Sequence, residues 1–203
     1  GRLRFHLLLW DETAERESLE AALACGEILL DTIKMDNLQE AYWVIPEGYG
    51  NLSSQAFLGY AHGAAGIADA LIDLYIATGE ERFLTVIQQV GKWLQKQAIP
   101  TNDRNGLNWP LTVGSSEVAN PFWCHGAAGI GRFFLNAAIH GLLPGAYETA
   151  VKAAWTVAKY GRWLGPTQCH GLAGSIEFLL DMYQATEDSY YYEMALMLGE
   201  VLE

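Results

Sequence analysis

Hydrophobic and polar positions in this chain follow a long helical rhythm rather than the two-residue alternation of strands. Three times a dense apolar run meets a polar break and gives way to a sparser stripe spaced i, i+4, i+7, i+11. The breaks are Thr78–Arg82, Gly141–Gly145 and Thr186–Ser189. The stripes are Phe83, Ile87, Val90 and Leu94; Tyr147, Val151, Ala154 and Ala158; and Tyr191, Ala195, Leu198 and Leu202. A helix that is apolar nearly all round is a buried one, and Ile67, Leu71, Ile72, Leu74 and Ile76 give residues 64–76 that character. The pattern predicts repeated α,α-hairpins, with the dense helices as an inner layer and the striped ones as an outer layer.

Each dense run opens on the same phrase. Tyr60-Ala-His-Gly-Ala-Ala-Gly66, Trp123-Cys-His-Gly-Ala-Ala-Gly129 and Gln168-Cys-His-Gly-Leu-Ala-Gly174 all contain His-Gly-x-x-Gly. From motif histidine to stripe start the offsets are 21, 22 and 21 residues, an agreement expected of one structural unit repeated. The glycines suit close helix approach at an entry turn. The three histidines should therefore share one end of the hairpins. Residues 1–35 fit the scheme as a partial hairpin: Leu9–Thr13 aligns with Leu74–Thr78, and Ala22, Cys25 and Leu29 fall on the outer stripe. Two insertions interrupt the register. Asp36–Ser54 is a linker, and Ile99–Pro121 reads as an irregular loop on the motif-bearing face. Loops this long are often functional.

Composition narrows the function classes. About half of the 203 residues are hydrophobic, as in a folded domain, and 24 acidic against 12 basic residues give a net charge of −12. That balance disfavours nucleic acid as a partner. No apolar run is long enough for a membrane span. Residues 3–10 are too short for a signal peptide. The three cysteines, Cys25, Cys124 and Cys169, form no disulfide framework and suggest a reducing, cytoplasmic setting. Both ends run into uncapped helical pattern, so residues 1–203 are expected to be part of one domain, truncated at least at its N-terminus.

Cys124, Cys169 and His170 stand at matching positions of neighbouring hairpins. Thiolate and imidazole together suit zinc, and three protein ligands leave a fourth position for substrate or water. No CxxC pair is present, which argues against a structural zinc finger. His62 shares the register but follows Ala61 rather than a cysteine; it is a candidate acid/base, and His125 is a second. Cys25 reads as a packed small hydrophobe. His6 and His140 lack the Gly context. Trp93, Trp155 and Trp163 belong to outer-helix packing, whereas Trp109 and Trp123 are candidates for lining a substrate cleft.

On the three His-Gly phrases, with cysteine before the second and third, the sequence resembles the lanthionine synthetase C-like family. The resemblance runs over essentially the whole chain. It implies an all-α fold, an α/α toroid of inner and outer helices, here as an incomplete ring. It implies that Cys124, Cys169 and His170 hold Zn2+ and that His62 is an acid/base beside it. His125 takes a place where other branches carry tyrosine or histidine. An arginine found shortly before the first cysteine in some members is missing, with Asn120 and Pro121 in that region. The implied activity is that of a cyclase: a cysteine thiolate of a dehydrated precursor peptide adds to dehydroalanine or dehydrobutyrine, and His62 or His125 protonates the enolate to give lanthionine or methyllanthionine. A dehydratase or a kinase/lyase domain, in the same or another chain, is the implied partner. Two alternatives stay open: a non-catalytic peptide- or glutathione-binding member, and a glycosidase-like α/α toroid. The latter needs two carboxylates flanking a scissile bond, and Asp69, Asp73 and Asp181 lie within helices rather than at the motif end.

Overall fold

The computed structural model describes residues 1–36, 40–163 and 165–202, apart from the side chain of Trp163. The packing role expected of Trp163, and part of the first linker, lie outside these described residues. Among them are eight helices in four hairpins: α1 Arg2–Thr13 with α2 Arg16–Thr32, α3 Ala64–Thr78 with α4 Glu81–Gln97, α5 Ala127–Ile139 with α6 Ala146–Tyr160, and α7 Leu172–Thr186 with α8 Ser189–Gly199. Odd-numbered helices touch one another in succession and form the inner layer; each even-numbered helix lies outside its partner. The chain is thus an all-α arc of an α/α toroid.

Local chemistry explains the repetition. Helices α3, α5 and α7 begin directly after the motif glycines Gly63, Gly126 and Gly171, so each motif histidine immediately precedes an inner helix. Three inner helices end on a common device. The hydroxyls of Thr13, Thr78 and Thr186 donate to the carbonyls four residues back, 2.7 Å in each case. The next residue, Ala14, Gly79 or Glu187, turns left-handed. That geometry stops the helix and starts the outer one.

The expected stripe of α4 is fully buried. That of α8 holds through Tyr191, Ala195 and Leu198, whereas Leu202 lies beyond the helix and is exposed. The α6 stripe holds at Ala154 and Ala158, which are buried, and is corrected at its start. Tyr147 is 53% exposed, and the buried face runs through Ala146, Ala150, Ala153 and Val157. Its start at Ala146 makes the offset from the motif histidine 21 residues in all three hairpins. Bulk misleads here because α6 is held close: a Cβ on Gly131 of α5 would lie 2.8 Å from the Ala153 Cβ. Only small residues fit such an approach.

The Ile99–Pro121 loop is more ordered than its composition suggests. Strand β1 Lys34–Met35, just before the first linker, pairs antiparallel with β2 Ala41–Tyr42, and within the loop β3 Ile99–Pro100 pairs antiparallel with β4 Leu107–Asn108. Trp109 is fully buried and donates its indole N–H to the Leu94 carbonyl at 2.8 Å. It therefore anchors the loop to the core instead of lining a cleft. No helix among the described residues is long and apolar enough to cross a membrane.

Candidate metal centre

Three motif segments lie side by side at one end of the arc. The amides of Tyr60 and Ala61 donate to the Cys124 carbonyl at 2.8 and 2.9 Å, and the Cys124 amide donates to the Cys169 carbonyl at 3.2 Å. Backbones can cross this closely only where side chains are absent. A Cβ on Gly59 would lie 2.4 Å from the His125 Cα, and one on Gly129 would lie 2.6 Å from the Tyr60 Cβ. The phrase also lets each segment fold back tightly onto the start of its own helix: a Cβ on Gly66, Gly129 or Gly174 would lie 1.8, 1.9 or 2.2 Å from the carbonyl oxygen six residues earlier.

This crossing brings Cys124, Cys169 and His170 together, with their ligand atoms all within 4.8 Å of one another. Cys124 is buried, Cys169 half-buried and His170 exposed, so the cluster opens to the surface on one side. Two thiols and an imidazole at this spacing fit a divalent ion of borderline softness. Burial, and then the neighbouring Cys169 thiol, push the Cys124 thiol up to about 12. A cation would have to displace that proton on binding.

His62 and His125 stand beside the cluster with ring centroids 5.6 Å apart, and Phe57 packs against both. His62 is exposed and His125 half-buried. Burial, reinforced by His62 and His170, holds the His125 imidazole below the ordinary histidine range, so it is neutral near pH 7. Its Nδ1 is buried and has no partner among the described residues, as is true of the Trp123 indole nitrogen. The remaining singled-out residues lie elsewhere. Cys25 packs half-buried against the core, His6 is half-buried beside Phe5, and His140 is exposed at the end of α5.

The inner helices are not apolar all round, which corrects the expectation for residues 64–76. Seven residues after the motif histidines stand Asp69, Arg132 and Glu177; eleven after stand Asp73, Asn136 and Asp181. These six, with Arg4 of α1, form a polar seam between the inner helices. Arg4 pairs with Asp69 and Asp73 at 2.6 Å, and the Asn136 amide donates to Asp69 at 2.8 Å. Arg132 pairs with Glu177 at 2.9 Å and with Asp181 at 3.4 Å. The Tyr60 hydroxyl donates to Asp69 and accepts from Arg4, while its ring lies 4.9 Å from that of Trp123. The seam borders a cavity of about 530 Å³ between the four inner helices. Its signal was present in the sequence as polar residues recurring at two fixed offsets, and an apolar average over the helix conceals it.

A family model described as lanthionine synthetase C-like protein matches residues 1–202. A curated relative, "Glutathione S-transferase LANCL1" of Danio rerio, is 24% identical over 183 residues, covering 89% of this chain and 42% of the relative. The chain therefore spans less than half the length of that relative. With the motif-bearing helices, their spacing and this match over nearly every residue, the chain belongs to the lanthionine synthetase C-like family.

Proposed function

We propose that this chain carries the thioether-forming centre of a lanthionine synthetase-type cyclase. The carrying observation is the convergence of Cys124, Cys169 and His170 within 4.8 Å, beside a pair of histidines and open on one side. These three residues would hold Zn2+, which when bound supplies a Lewis acid that favours the thiolate form of a coordinating substrate cysteine. The two chain cysteines and His170 would hold the ion where the cluster opens to the surface, within reach of a substrate thiol. The substrate sulfur adds to the β-carbon of a dehydroalanine or dehydrobutyrine in the same peptide, and the alkene pair shifts toward the carbonyl. A proton must then reach the α-carbon. His62, exposed and in exchange with solvent, and His125, half-buried 5.6 Å away, are the two proton carriers. Addition and protonation together leave the peptide's mass unchanged.

The test uses zinc-loaded full-length protein and a precursor peptide already dehydrated at Ser or Thr. Alkylatable thiol should disappear with no change in peptide mass, and His62→Ala should slow this by roughly 100-fold. Thiol loss at the uncatalysed rate with the wild-type protein would sink the cyclase reading.

A second reading is favoured by the name of the zebrafish relative. In it the thiol is that of glutathione, either added to a separate electrophile or simply held. Substituting glutathione and a soluble electrophilic alkene in the same assay separates these outcomes.

A further inference from the structure

Beside the cysteine–histidine cluster the surface opens into a cavity of about 620 Å³, a size typical of ligand sites. One wall is Asn108 with the run Val118–Phe122, the segment that leads into Cys124. The facing wall is Tyr160 and Gly165, on the segment that leads into Cys169 and His170. Phe122 belongs to both features: it lines the cavity and lies edge-on to His170, with ring centroids 5.7 Å apart. Cavity and cluster are therefore neighbours, with Phe122 as their shared boundary.

The walls are built rather than incidental. The Asn108 side-chain amide donates to the Ala119 carbonyl at 2.9 Å, and the Ala119 amide donates to the Trp109 carbonyl at 3.0 Å. Trp109 is itself buried and pinned to α4. The same loop is tied to α6 by the Thr156 hydroxyl, which donates to the Leu107 carbonyl at 2.7 Å, and by the Lys159–Asp103 pair at 2.6 Å. A wall held at this many points is preorganised for an occupant.

Its chemistry differs from that of the rest of the molecule. The chain carries a net charge of −12, and the cavity between the inner helices is lined by Arg4, Asp73, Arg132 and Asp181. None of the described residues lining the outer cavity is charged. Two aromatic rings, a valine and a proline supply apolar surface, with the Asn120 side-chain amide for a backbone group. A charged side chain entering it would lose water without gaining a counter-ion.

We propose that this cavity receives the uncharged residues flanking the reactive cysteine of a peptide substrate, and so selects cysteines in a neutral sequence context. The assignment rests on the thiol chemistry proposed for Cys124, Cys169 and His170. It is tested by calorimetric binding to the zinc-loaded full-length protein, using three undehydrated thiols that cannot react onward. These are N-acetylcysteine, a short peptide with leucine and alanine beside its cysteine, and the same peptide with glutamates there. The neutral peptide should bind at least roughly tenfold more tightly than N-acetylcysteine, and the glutamate peptide should lose that advantage. Val118 and Tyr160 are exposed enough to change without unfolding the chain. Tyr160→Ala should weaken the neutral peptide roughly tenfold, and Val118→Lys should shift preference toward the glutamate peptide, both leaving N-acetylcysteine unchanged. If N-acetylcysteine binds but the neutral peptide binds no better, or if neither variant alters peptide affinity, the cavity assignment is overturned and the thiol chemistry stands. If no thiol binds, both fall together.

Discussion

A methyl group added at Gly126 would lie 1.8 Å from the Asn120 carbonyl oxygen, so Gly126→Ala must displace the backbone of its own segment at the entry to α5. The expected cost is about 3 kcal/mol or more, read from denaturant unfolding. Gly199→Ala, with nothing within 4 Å of the added carbon, should be close to neutral by the same measurement. The cysteines should behave differently from the glycines. Cys124→Ala or Cys169→Ala removes one of three donors from a cluster only 4.8 Å across. Each should abolish stoichiometric zinc by metal analysis, and full occupancy in either variant would contradict the ligand assignment. Neighbouring positions of one phrase thus separate into those that let the backbone fold back on itself and those that supply chemistry.

At the scale of the element, the common helix ending is instructive because its left-handed residue varies. Gly79 takes φ 69° as glycine readily does, whereas Glu187 takes φ 58° with a side chain. Glu187→Gly should therefore stabilise the protein by about 0.5–1 kcal/mol, seen as a raised thermal midpoint. Helix α6 shows the limit of reading faces by bulk. Its buried side is made mostly of alanines, since α5 approaches too closely for larger residues at Ala153, and Tyr147 faces solvent. The hairpins and their order were legible from periodicity, and the face of an alanine-rich helix only in part: Ala154 and Ala158 are buried as expected, Tyr147 is not. Trp109 was misjudged for a related reason. A tryptophan in a polar loop near the motif suggests a cleft, but its indole anchors that loop in the core.

Across the whole molecule, arginine and carboxylate alternate along the inner seam: Arg4, then Asp69 and Asp73, then Arg132, then Glu177 and Asp181. Each arginine stitches its helix to the next. Burial is the largest influence on Asp181, and it raises the carboxyl above its ordinary range despite Arg132. A raised carboxyl favours the fold below its unfolded-state value, and this contribution is lost as pH rises through the folded-state value. Asp181→Asn should accordingly be as stable as wild type, or more so, at neutral pH. Thermal melts at falling pH should show that difference closing through the ordinary carboxylate range. A variant clearly less stable at neutral pH would mean that the Arg132 pair outweighs burial.

Repetition and spacing along the chain were enough to establish the hairpins, their inner and outer layers and the shared end that holds the histidines. Helical period and chain order are local properties, and each repeat states them again. The candidate ligands were also legible, because cysteine and histidine at equal register in adjacent repeats must fall near each other. Tertiary packing decided the rest. It brought the three donors within 4.8 Å while leaving Cys25 apart, and turned the +7 and +11 residues into a charged seam. It also set an uncharged cavity against the cluster. These depend on how closely backbones cross and which side chains then meet, distances that no single helix encodes.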